Sequence, residues 1–304
     1  MNKHRFAFRT FVLVGLFFAF SAAADAQVIR TWVASTGLDT NSCSRTAPCK
    51  SFAAAIAATS VGGEINCLDP NSEYGVIQID KSITIDCEDT QGTTRAAAAN
   101  GININITDPA DTAKSVRIRG FTINGLGNGT NGIRVQSANR LTLEEVVIDG
   151  FTAHGISVET TSGAFSLVAK KTTVRNNAGN GINTSLSGAA TATIFLIDSL
   201  IAANSVGFNQ NSATVGVVQN STFTGNTTGV QANGSTSVLA LKGCLISQNG
   251  TGVSTVTSAT IRIGGNIITA NTTGLTGSDI YTWGGNLIDG NASNGTNSGR
   301  AAVQ

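Results

Sequence analysis

IAANSVGF (201–208), FTGNTTGV (223–230), ISQNGTGV (246–253) and ITANTTGL (268–275) are one phrase written four times, with a shortened fifth, IDGN (288–291). Ile201, Phe223, Ile246, Ile268 and Ile288 lie 22, 23, 22 and 20 residues apart. Three residues after each stands Asn204, Asn226, Asn249, Asn271 or Asn291. The first four asparagines lead to Gly207-Phe208, Gly229-Val230, Gly252-Val253 and Gly274-Leu275. Three residue types in one register mark a solenoid, whose repeats bury their apolar sides only by stacking on one another. A leucine-rich repeat also carries a periodic asparagine, but it wants leucine two residues later, where Thr228, Thr251 and Thr273 stand. Segments such as SATIRIGGNIITANTTGL (258–275) are short β-branched runs broken by Gly, Asn and Thr, with no helix-length window. Stacked about 4.8 Å apart on the right-handed path that parallel strands favour, such coils predict an all-β fold. It is a right-handed parallel β-helix, a solenoid of 20–31-residue coils.

The first 26 residues stand outside that fold. Lys3, Arg5 and Arg9 form a basic start, Phe11 to Phe20 an apolar run, and Ala24-Asp25-Ala26 a small-x-small site. This reads as a secretory signal peptide cleaved after Ala26. The apolar run is too short for a transmembrane anchor, so a secreted or periplasmic protein is expected. Without the three basic residues and one aspartate of the leader, 16 Lys+Arg face 17 Asp+Glu, a net charge of −1. That balance gives no electrostatic basis for nucleic acid as a partner. Only 12% of the chain is charged, and 35 residues are glycine. The 41% of hydrophobic residues and the β-branched period argue for a packed core over disorder.

Residues 27–61 are expected to form an N-terminal cap: a short strand, a cysteine loop and the Ala-rich helix SFAAAIAATS (51–60), with Phe52 and Ile56 on one side. Such a helix would cover the open end of the coil stack, whose unpaired edge otherwise invites aggregation. The β-helix then spans 62–291, and 292–304 is a polar tail, either disordered or a loose C-terminal cap. Cys43 and Cys49 bracket a Pro-containing loop and are expected to form a disulfide. Cys67 and Cys87 fall at matching ends of neighbouring strands and are candidates for a second. Cys244, between apolar neighbours, is left as a buried thiol. Cysteine spacing and the scarcity of histidine predict no metal site, and no cofactor is expected.

The opening WVASTGLDTNSCSRTAPCKSFAAAIAATSVGGEINCLDPNSEYGVIQIDKSITID (32–86) resembles that of secreted β-helix proteins of the pectin-lyase-like superfamily. The shared features are Gly37-x-Asp39-x-Asn41, Pro48, the Ala-rich cap, Gly62-Gly63 and KSITI (81–85). The resemblance implies the fold and not one activity, because the superfamily includes lyases, hydrolases, epimerases, adhesins and inert scaffolds.

Twelve charged residues crowd 114–175, against five from 201 onward. Aligning coils on Ile123, Ile148 and Val174 places Arg119, Glu144 and Lys170 in one column, as candidate substrate-binding residues. Glu145, Lys171 and Asp198 fall in the next, and Asn124, Asp149 and Arg175 in a third. Alternating signs at strand spacing form ladders of exposed ion pairs, or a groove for a charged, hydroxyl-rich chain. Asp149, His154, Arg134 and Arg175 are the candidate catalytic residues, a carboxylate, an imidazole and two guanidiniums near one turn. Against this, His154 is the third member of an Asn100-Asn131-His154-Asn180 column before glycine, where a turn residue that tolerates left-handed backbone is expected. Ala153-His154-Gly155 matches a polygalacturonase-like Gly-His-Gly only in part, and no Asp-Asp pair occurs. The carboxylates of a calcium-dependent pectate-lyase-like site are not clustered on adjacent coils. Two functions remain open. One is a protein that binds, and as a lyase or glycoside hydrolase would process, extracellular polysaccharide along its strand face. The other is a non-catalytic surface or adhesion scaffold.

Overall fold

Three inward-facing columns of apolar side chains run the length of the molecule. The computed structural model describes residues 28–69, 75–211 and 213–300, so the expected leader lies outside the described residues. The first column is Ile123–Ile148–Val174–Ile201–Phe223–Ile246–Ile268–Ile288, each residue paired with the next across parallel strands. The second joins Ile102, Ile133, Ile156, Ile182, Phe208, Val230, Val253 and Leu275. The third carries Val116, Leu141, Leu167, Ile194, Gly216, Leu239 and Ile261. Nearly all these side chains are fully buried, each contributing about 1.5–3 kcal/mol. Strands form a nine-stranded sheet on one side and an 18-stranded sheet that wraps the other two.

The repeated asparagines are bonded to one another. Side-chain Nδ2 groups donate from Asn177 to Asn204, and on through Asn226, Asn249 and Asn271 to Asn291, at 2.8–3.1 Å. The repeated glycines form a column of another kind. A Cβ on Gly207, Gly229 or Gly252 would lie 2.4–2.6 Å from the carbonyl oxygen of the glycine one coil on. The requirement is closeness, since none of the three has a positive φ. A second polar stack, absent from the sequence reading, runs Thr172–Ser199–Ser221–Cys244–Asn266–Asn286. Thr172 N–H donates to Ser199 Oγ, Ser199 N–H to Ser221 Oγ, Cys244 N–H to Asn266 Oδ1, and Asn266 N–H to Asn286 Oδ1. Cys244 is therefore a buried rung, and burial pushes its thiol pKa up.

Helix α1 (Phe52–Ala58) is shorter than 51–60, because Thr59 already begins strand Thr59–Cys67. Gly62 and Gly63 thus lie inside the strand Thr59–Cys67. Ser51 caps α1 by accepting from Ala54 N–H, and Asp39 accepts from Lys50 N–H, Ser51 N–H and Ser51 Oγ. Those bonds, first of all the one from the Ser51 backbone, hold Asp39 below the ordinary carboxylate range. Phe52, Ala55 and Ile56 are buried, and Phe52 meets Phe121 edge-on at 5.6 Å, closing the stack. Disulfides join Cys43 to Cys49 and Cys67 to Cys87. At the other end, Gly274 and Leu275 N–H donate to the Ser293 and Asn294 carbonyls, so the start of the polar tail follows the last coil.

Candidate functional site

One outward column concentrates the charge. Asp86, Arg119, Glu144 and Lys170 occupy successive coils in register. After Arg119, Glu144 and Lys170 the chain turns a corner at a residue with left-handed backbone: Gly120 (φ 57°), Glu145 (φ 56°) and Lys171 (φ 49°). The corner splays neighbouring side chains, and Glu88, Arg117, Arg119, Glu144, Glu145, Lys170 and Lys171 line a cleft of about 180 Å³. Arg119 holds its centre, donating to Glu144 Oε2 at 2.9 Å and Asp86 Oδ2 at 2.8 Å, and pairing with Glu88. Arg117 reaches the same Glu144 oxygen at 2.7 Å, and Lys171 pairs with Glu145 at 2.8 Å. Burial opposes the charge of Arg119, but Asp86, Glu88 and Glu144 raise its pKa above the usual value. The hydrogen bond from Lys171 lowers that of Glu145. Lys170 makes no ion pair among the described residues. Water screens pairs as exposed as these, so the cluster is not what holds the coils together. Among the described residues, no group of three or more His, Cys, Asp or Glu is placed to hold a metal ion.

Of the four candidate catalytic residues, Asp149 and Arg175 pair with each other, Arg134 pairs with a different carboxylate, and His154 stands in a turn. Asp149 accepts from Arg175 at 3.1 Å and from Asn176 Nδ2 at 2.8 Å, on the 18-stranded sheet. Arg134 lies on the nine-stranded sheet, paired with Glu159 at 2.7 Å, while Ser157 Oγ donates to the other Glu159 oxygen. His154 stands in the turn between them. Its Nδ1 accepts from Asn180 N–H at 3.0 Å, and its own N–H donates to Asn131 Oδ1 at 3.1 Å. Asn131 N–H donates in turn to Asn100 Oδ1. None of these four residues has a positive φ. The Asn-Asn-His-Asn column therefore reflects a need for a side-chain acceptor, which imidazole Nδ1 supplies as well as an amide oxygen, and not left-handed backbone.

Glu159 is the carboxylate that bears on His154. Burial lowers the imidazole pKa and Glu159 partly restores it. Asp86, Glu88 and Glu159 are not among the sequence candidates.

A protonated His154 would turn an Nδ1–H donor toward the Asn180 N–H, so folding favours the neutral ring. The unfolded chain, with an imidazole near 6.5, takes up the proton first as pH falls. Stability at this site is thus full above about pH 6.5 and declines as pH drops toward the lowered folded value. His154→Asn is expected to keep the ladder, stay within about 0.5 kcal/mol of wild type and flatten this pH dependence. His154→Ala should lose about 1 kcal/mol. Urea denaturation at pH 5 and pH 8 checks both.

Residues 131–293, more than half of the chain, match the family model described as the right handed beta helix region. The chain belongs to the right-handed β-helix family. Two solved structures share this β-helix fold. A pectate lyase, Pel9A, aligns with a TM-score of 0.50 and 14% identity over 86% of this chain and 68% of its own. XylC, in complex with xylose, aligns with a TM-score of 0.53 and 10% identity over 84% of this chain and 67% of its own. At such identities the likeness is one of fold alone. No curated protein matches the sequence significantly. No helix among the described residues of this β-helix is long and apolar enough to cross a membrane.

Proposed function

We propose that this β-helix binds a polysaccharide along the face that carries the Arg119–Glu144–Lys170 column, and that it does so without turning the chain over. The observation that carries the reading is the corner cleft, a recess of cations and carboxylates at strand spacing on adjacent coils. Guanidinium and ammonium groups suit sugar hydroxyls and uronate carboxylates. The carboxylates favour binding over hydrolysis or elimination. Glu144 and Glu145 each accept from a basic partner in the cleft, as do Asp149 and Glu159 beyond it. The His154 Nδ1 is occupied by a backbone N–H. The pectate lyase and the xylose-bound XylC agree with the reading through their shared fold. Two disulfides are compatible with the oxidising compartment that the leader implies.

A panel of acidic and neutral polysaccharides tests it. Binding to at least one, with no release of reducing ends or unsaturated uronate, is the expected result. Exchanging Lys170 and Lys171 together for alanine should weaken binding to an acidic polymer about tenfold and reduce its salt dependence, with little loss of stability. Turnover would make the protein an enzyme, and a flat panel would favour the scaffold.

A further inference from the structure

The outward column that carries the charged cleft continues through Ile197, Gln219 and Lys242 to Gly264 and Gly284. Its corner residues keep the left-handed turn at Asp198 (φ 50°), Asn220 (φ 50°), Gly243 (φ 67°) and Gly265 (φ 64°). Five strand spacings beyond Glu144, about 24 Å, a second cleft of about 630 Å³ opens against the same corner. It is lined by Asn220, Lys242, Gly243, Gly264, Gly265, Trp283 and Gly284. Here Lys242 is the one charged residue of the lining, and an aromatic plate joins it.

Trp283 is the extra residue of a bulge. Strand Ile280–Gly284 pairs Thr282 with Ile263 and Gly284 with Gly264, leaving Trp283 unmatched. Bulges re-aim side chains and cluster beside binding sites. The bulge lays the Trp283 side chain outside Gly264, where an added Cβ would stand 3.1 Å from Cε3 and 3.4 Å from Cβ of the tryptophan. Gly264 is buried beneath it, yet Trp283 stays 43% exposed. A large ring covering one glycine while leaving so much of itself to water is poorly explained by core packing. Lys242 stands one coil before Gly264, with no ion pair among the described residues. The Asn220 amide oxygen leans over Gly243. On the same face, Tyr281 is paired in register with Arg262.

The geometry points to a second polysaccharide subsite at Trp283, which takes the apolar face of a pyranose ring on the indole and a ring carboxylate on Lys242. This rests on the polysaccharide reading and narrows it to chains that carry uronate. Exposed glycine backbone leaves room for a flat ring, while an indole with a polar rim is the usual composition of a small-ligand site. A second copy of the chain is a poor occupant, because one indole and a strip of glycine fall far short of the roughly 800 Å² per partner of a stable interface. Nucleic acid is disfavoured, because the column alternates in sign where a phosphate backbone needs a run of cations.

Tryptophan emission during titration with polygalacturonate, xylan and single-stranded DNA tests the subsite. Wild type should shift its emission on binding polygalacturonate, and Trp283→Phe, which keeps Trp32, should not. Trp283→Ala should bind polygalacturonate about tenfold or more weakly, whereas Lys242→Gln should weaken polygalacturonate without changing any xylan binding. If both variants bind as wild type while the Lys170, Lys171 double variant fails, the Trp283 subsite is wrong and the charged-cleft reading stands. If wild type binds neither polysaccharide, the functional reading itself fails. Preferential binding of DNA would overturn the assigned ligand class.

Discussion

Asn249→Ala is expected to destabilise the β-helix by about 3 kcal/mol, although the side chain touches no candidate site. Its Oδ1 accepts from the Asn226 backbone N–H and Nδ2, and its Nδ2 donates to Phe223 O, Ser247 O and Asn271 Oδ1, all at 3.0 Å. Alanine leaves the Asn226 N–H buried without this acceptor, at about 1–3 kcal/mol, and a void where the amide lay. Asn249→Asp should cost at least as much. It keeps an acceptor for Asn226 but sets a carboxylate oxygen against three others, in a residue only 3% exposed. Asn291→Ala, at the end of the ladder and partly exposed, should cost less than about 1 kcal/mol. Urea denaturation of the three variants decides. A loss at Asn249 no greater than at Asn291 would mean that the ladder is decoration.

Gly252→Ala carries the second large effect, about 3 kcal/mol or more. The new Cβ would sit 2.6 Å from Gly274 O, 3.1 Å from Ile268 Cγ2 and 3.2 Å from Asn271 Nδ2. Two of these contacts are fixed by hydrogen-bonded coils whose spacing cannot open locally, so the strain exceeds the usual cost of overpacking by one methyl. Gly265→Ala makes the control. Its φ of 64° is left-handed, but no atom lies within 4 Å of the added carbon, so only the backbone term of about 1–2 kcal/mol applies. Equal losses at the two positions would mean that the close approach to the next coil costs no more than the backbone term.

These two columns were legible in the sequence because stacking forces one residue type to recur at one spacing. Isoleucine, asparagine and glycine each meet the same neighbour in every coil, so the chain writes them in register. The Thr172–Asn286 stack obeys the same spacing but was not legible, since threonine, serine, cysteine and asparagine all serve as rungs and share no letter. The charged column could be aligned from Ile123, Ile148 and Val174. Asp86 and Glu88 escaped because 107–113 lengthens the coil between them and Arg119, where Asp111 is held by the Ser82 N–H and hydroxyl. Arg134 and Arg175 looked like neighbours because sequence alignment gives the register within a sheet and not which sheet faces which. Trp283 was hidden by its own bulge, an extra residue in the coil that is the shortest of the four at 20 residues.

The central claim is that one groove, following one corner of the solenoid, binds an acidic polysaccharide at both the charged cleft and Trp283. The most direct measurement is the affinity of wild-type protein for galacturonate oligomers of increasing length. Affinity should climb steeply until an oligomer spans the roughly 24 Å from Glu144 to Gly264, then level off, and Trp283→Ala should remove the climb. An affinity that does not change with length, or no binding at any length, would contradict the account.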